Sequence, residues 1–113
     1  MRELKFRMWN EDTKKMSLDV HKWSTFNILI MARKILIQYT GLKDKNGVEI
    51  YEGDIYSDGF KLRHEYIVWN NRFASFTGRS KAYDNCVNLS EDFAARIEVI
   101  GNIYENPELM EKG

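Results

Sequence analysis

Short alternating segments, each closed by a glycine or asparagine turn, confine this chain to a small antiparallel β fold. Leu4, Phe6 and Met8 alternate with Lys5, Arg7 and Trp9, and Met16, Leu18 and Val20 resume the alternation after the polar stretch Asn10 to Lys15. A period of two describes a strand with unlike faces. Asn10, Asp12 and Thr13 carry side chains that bond their own backbone in turns, so the two arms predict an N-terminal β-hairpin. Ile35, Ile37 and Tyr39 alternate with Leu36 and Gln38 as far as Thr40-Gly41, and Asn46-Gly47 supplies the positive φ that reverses the chain into Val48 to Tyr51. Gly53 marks another bend, before a short strand from Asp54 that ends at Asp58-Gly59. Phe60, Leu62, Tyr66 and Val68 fall on one face of a further strand, with Lys61, Arg63 and Glu65 on the other. Asn70-Asn71 turns that strand into Phe73 to Thr77. From His21 to Arg33 the apolar spacing fits a helix and a strand equally.

The last third adds Ser90 before Glu91 and Asp92, a capped short helix or turn, and a strand within Arg96 to Tyr104. Asn106-Pro107 then opens a short helix, with asparagine as cap and proline at the first helical position. Strands recurring about every 8 to 12 residues favour a small barrel or rolled sheet. The expectation is a single mainly β domain. It has an N-terminal hairpin and connector over 1–34, a small bent sheet or SH3-like barrel over 35–104, and a short C-terminal helix or tail over 105–113.

Of the 113 residues 43% are hydrophobic, enough for a core and too many for a disordered polymer. The 17 basic and 17 acidic residues cancel, which excludes a uniformly basic nucleic-acid binder. The cancellation is not local. Residues 1–34 hold 8 basic and 4 acidic side chains, 35–60 hold 2 and 5, 61–83 hold 5 and 1, and 84–113 hold 2 and 7. Two basic blocks alternate with two acidic ones and are free to pair or to face separate partners. The single Cys86 forms no internal disulfide, and with His21 and His64 it makes no metal-binding spacing, so an intracellular protein is expected. Charges at Arg2, Glu3, Lys5 and Arg7 break any signal peptide, and the apolar run Phe26 to Ala32 is far shorter than the ~20 residues of a membrane span.

The candidate binding surface is the basic set Lys61, Arg63, Arg72, Arg79 and Lys81, interleaved with Tyr66, Trp69, Phe73, Phe76 and Tyr83. Cations for phosphates and rings for bases are what a single-strand-binding face requires, although the same pattern describes a sheet with charges outside and aromatics inside. Glu52 and Asp54 flank Gly53 and, in extended backbone, project to the same side, as a metal or acid–base pair would; acids beside a glycine bend also cap turns. Asp84-Asn85 suggests a loop around Cys86, where the thiol reads as a small buried hydrophobe before it reads as a nucleophile. No phosphate-binding glycine loop, GxGxxG, GxSxG or HExxH occurs. No cofactor, catalytic residue or metal site is predicted, and the expectation is a non-enzymatic protein that binds itself or another macromolecule.

Three segments carry a resemblance. Arg2-Glu3-Leu4-Lys5-Phe6-Arg7-Met8-Trp9 with Lys14-Lys15-Met16, then Leu36 to Gly47 continuing through Glu49-Ile50-Tyr51-Glu52-Gly53-Asp54-Ile55, and finally Val99-Ile100-Gly101-Asn102-Ile103-Tyr104-Glu105-Asn106-Pro107-Glu108-Leu109 are similar, in order, to the opening, middle and close of YopX-type phage proteins. The resemblance covers roughly half the chain. It implies a small, mainly β protein from a phage or prophage acting in the bacterial host cytoplasm. It brings no activity and no site residues.

Overall fold

The computed structural model describes residues 4–18, 34–58, 64–80 and 84–111. Among the described residues nine strands run in chain order: β1 (Phe6–Asn10), β2 (Lys15–Ser17), β3 (Lys34–Lys43), β4 (Glu49–Tyr51), β5 (Asp54–Ser57), β6 (Glu65–Asn70), β7 (Ser75–Arg79), β8 (Asp84–Asn88) and β9 (Glu98–Asn102). A one-turn helix, α1 (Glu91–Ala94), precedes β9, and a 3-10 turn (Pro107–Met110) follows it. The fold is mainly β. The strands form two antiparallel sheets, β2-β1-β3-β4 and β8-β7-β6-β5-β9, one of them curled into half a barrel.

The N-terminal hairpin forms as its alternation predicts, closed by Asn10, whose Oδ1 accepts the N–H groups of Asp12 and Thr13. It is hydrogen-bonded into the first sheet, β1 running antiparallel to β3 from Phe6 opposite Gln38 to Asn10 opposite Lys34. β3 serves both its neighbours because its register against β4 shifts between Tyr39 and Lys43, at Gly41 with φ +88°. The Thr40 hydroxyl steadies that irregularity by donating to Ile50 O at 2.7 Å.

Two cores result. In the first sheet Trp9, Ile37, Tyr39 and Tyr51 are buried together, with Met16, Ile35 and Tyr104 against them. The other core joins the two sheets: Ile50 of β4, Tyr56, Ile67, Phe76, Ala94 and Ile97 form its centre, with Leu42, Leu89, Phe93 and Val99 packed around it. Asp44 ties the β3–β4 turn to β9. Its carboxylate accepts from Asn46 N at 2.8 Å, Val48 N at 2.9 Å and Val99 N at 2.8 Å. Burial pushes the Asp44 carboxyl up, but these three bonds and the nearby Lys45 outweigh burial and hold it below the usual carboxylate range.

Several local expectations are corrected. Tyr66 and Val68 do not form the buried face of β6; Glu65 and Ile67 do, and Glu65 is only 2% exposed. It is tolerated there because the Tyr56 hydroxyl donates to its Oε1 at 2.8 Å. Residues 84–88 are a strand paired with β7, not a loop. Ser90 caps α1 as its position predicts, accepting the Phe93 N–H at 3.1 Å. Asn106, by contrast, is no side-chain cap for the C-terminal turn. Its Oδ1 turns back to accept Asn102 N at 3.2 Å, while Pro107 does open the expected short C-terminal helix, which is a single 3-10 turn. His21, the ambiguous stretch from His21 to Arg33, Lys61, Arg63, Lys81 and Tyr83 lie outside the described residues.

Candidate binding surface

Of the basic set, Arg72 and Arg79 are described, and the fold keeps them apart. Arg79 pairs with Tyr66 at one end of the β6–β7 hairpin, whereas Arg72 lies in the turn beyond the Asn70–Ser75 pair at the other. The four residue steps from Ser75 to Arg79 alone separate them by roughly 13 Å. The aromatic residues divide as well. Phe76 is buried, and Trp69 and Phe73 remain 42% and 46% exposed.

What the hairpin does assemble is a compact group at its turn. Asn70 Oδ1 accepts the N–H groups of Arg72 at 2.9 Å and Phe73 at 3.3 Å, and Ala74 closes the turn with φ +49°. Trp69 is held by its indole N–H, which donates to Asn71 Oδ1 at 2.8 Å, and by an edge contact with Phe76 at 5.1 Å between centroids. The Arg72 guanidinium lies 5.7 Å from the Phe73 ring centre. An indole, and a phenyl ring with a guanidinium near its face, are thus carried on the two sides of one strand-supported turn. The residues themselves were legible in the sequence; their separation from Arg79 depends on which end of the hairpin each occupies.

Glu52 and Asp54 do not form a carboxylate pair. Gly53 has φ +86°, so residues 52 and 53 make a turn and the extended-backbone geometry does not apply. Asp54 points inward, 2% exposed, where it ion-pairs with Arg7 and accepts the Tyr51 N–H at 2.8 Å. Burial pushes its carboxyl up to about 6 from 3.8, against the opposing pull of the Arg7 charge and of the bonds from Tyr51 and Arg7. Arg7 in turn lies over the Tyr51 ring at 4.3 Å, and Lys5 Nζ meets Glu49 Oε2 at 2.6 Å. Burial also raises Glu52. His64 precedes β6, and its Nδ1 lies 2.8 Å from Leu109 O, fastening the C-terminal turn. Among the described residues no group of three or more His, Cys, Asp or Glu is placed to hold a metal ion.

A match to the family described as YopX protein spans residues 19–111. The chain belongs to the YopX family. Among solved structures it is similar to a protein described as EF1440 from Enterococcus faecalis, with a TM-score of 0.67 and 26% identity over 97% of this chain and 99% of that one. No curated protein matches. The family match takes in the β6–β7 hairpin and the Asp54 region, and leaves β1 and β2 before its first residue. Among the described residues no helix is long and apolar enough to cross a membrane.

Proposed function

We propose that this YopX-family chain is a non-enzymatic binding protein whose contact surface is the end of the β6–β7 hairpin and whose partner is another protein. The observation that carries this reading is the set Trp69, Arg72 and Phe73, two rings more than two-fifths exposed, one of them next to a guanidinium, at a turn already fixed by Asn70. Tryptophan and arginine dominate the energetics of protein–protein contacts, and aromatic residues are enriched in them. A rigid turn loses little conformational freedom when it docks. The wide spacing of Arg72 and Arg79 favours a protein over a phosphate backbone, which is tracked by closely set cations. The three-segment resemblance supports a phage or prophage setting and the host cytoplasm as the place of action.

The test is a photo-crosslinking residue at position 72 of the full chain, expressed in the host. One discrete protein adduct is expected, reduced at least tenfold by Trp69→Ser with Phe73→Ser. Light scattering across protein concentration distinguishes a second copy from a different partner. An adduct pattern indifferent to both substitutions overturns the reading. Salt-dependent capture of single-stranded DNA, weakened by Arg72→Ala, replaces it with the nucleic-acid alternative.

A further inference from the structure

The end of the β6–β7 hairpin carries a cation that its own chain does not neutralise. Among the described residues the exposed Arg72 guanidinium makes no ion pair and no hydrogen bond, and its neighbour is the Phe73 ring, with 5.7 Å to the ring centre. A guanidinium presents five N–H donors in a fixed fork. Attraction to a ring face uses none of them. The backbone beneath is held, because Asn70 Oδ1 accepts the Arg72 N–H at 2.9 Å.

The sequence around the hairpin supplies no carboxylate to this end. Residues 61–83 hold a single acidic side chain, Glu65. It is 2% exposed, accepts the Tyr56 hydroxyl, and opens β6 at the end away from the turn. On the β7 side the neighbouring strand brings a neutral residue, Asn88, whose Oδ1 accepts the Ser75 hydroxyl at 2.8 Å. On the β6 side β5 pairs at Tyr66 and Glu65, again far from the turn. The positive charge at the turn is therefore left for a partner.

We infer that the partner face that meets this turn is acidic as well as apolar: an Asp or Glu carboxylate takes the Arg72 guanidinium, and an apolar recess beside it takes the Phe73 ring. The inference rests on the reading of the hairpin end as a protein contact and names the chemistry of what it meets. A carboxylate matches the guanidinium fork in plane and charge and accepts two of its N–H groups at once. Closing an apolar recess over Phe73 keeps water from that pair and strengthens it. Arg72 then decides which acidic faces are accepted, since a lysine brings the charge without the fork. Trp69, on the other side of the turn, widens the contact and adds no charge preference.

The test places a photo-crosslinking residue at position 74 of the full chain, an exposed turn position outside the contact set, and expresses it in the host. The yield of the protein adduct is expected to fall about tenfold with Arg72→Glu, and to fall less with Arg72→Lys than with Arg72→Gln. Mass mapping locates the partner peptide in the adduct. Replacing its Asp or Glu by Lys is expected to restore the adduct with Arg72→Glu, a rescue that a merely structural role of Arg72 does not produce. A contact peptide without Asp or Glu, or a reversal that restores nothing, overturns the inference. An adduct at full yield with Arg72→Glu that is lost with Trp69→Ser and Phe73→Ser overturns it while leaving the protein contact intact. No adduct from either position 72 or position 74 overturns both.

Discussion

Asp54→Asn isolates what the buried Arg7–Asp54 pair does to stability. The asparagine keeps the shape and an oxygen for the Tyr51 N–H, and it removes the ionisation. In the folded chain the Asp54 carboxyl is raised to about 6 from 3.8, chiefly because it is buried. A raised carboxyl binds its proton more tightly folded than unfolded, so between those two values the folded state carries more protons and stability falls as pH rises. The gap corresponds to about 3 kcal/mol at 1.36 kcal/mol per pH unit. Asp54 is almost wholly buried, so solvent screens little of this amount.

Urea unfolding at several pH values between 4 and 7 gives the stability of each protein, and the difference between wild type and Asp54→Asn cancels the other titrating groups to first order. That difference is predicted to move by about 3 kcal/mol in favour of the variant as pH rises through this window. Arg7→Met in the same background is expected to steepen the slope, because the Arg7 charge lowers the Asp54 carboxyl and its loss leaves burial unopposed. A flat difference refutes the raised carboxyl. A difference of opposite sign shows that Arg7 holds Asp54 charged below its ordinary range, and the order of the two effects would then be reversed.

Two further perturbations bear on the frame around the sites. Asp44→Ala removes an acceptor for three backbone N–H groups and is expected to cost about 2–4 kcal/mol in thermal or urea unfolding; because the folded Asp44 carboxyl is depressed, its contribution is present above 3.8 and is lost as pH falls through its lower folded value. Gly53→Ala places a Cβ 2.8 Å from the Tyr104 ring at φ +86° and is expected to cost about 1–3 kcal/mol, with a displaced Tyr104 visible in its ring resonances.

Strands and turns were legible because they are local. Asn10, Asn46-Gly47, Gly53 and Asn70 each act within a few residues of themselves, so their chemistry announces the reversals the chain makes. The facing of strands was less legible where both faces are lined. Alternation around Lys5, Arg7 and Trp9 separates two sets without saying which meets the core, and the first sheet places the charged set there, with Arg7 over Tyr51 and Lys5 within 5.5 Å of the Tyr39 ring centre. Glu65 escaped for the same reason. Its carboxylate is satisfied by Tyr56 from the neighbouring strand, and no spacing within β6 records that partner. The contact of Trp9 with Tyr104 left no local mark at all, since the two rings meet only after the two ends of the chain have folded toward each other.

The neutral charge total takes its meaning from the same long-range pairing. The first basic block supplies Lys5 and Arg7, the first acidic block supplies Glu49 and Asp54, and the two blocks join the start of β1 to β4 and β5 at sequence separations of 44 and 47. These charges are spent inside the fold, Arg7 and Asp54 on a nearly buried pair and Lys5 and Glu49 at its margin. They therefore cannot also serve as a recognition field. The charges left exposed among the described residues carry both signs, Lys14, Lys15, Lys43, Lys45, Arg72, Arg79 and Arg96 against Asp12, Glu91, Asp92, Glu98, Glu105, Glu108 and Glu111. Mixed signs of that kind supply no single-sign field, which is what spreading over a polyanion requires.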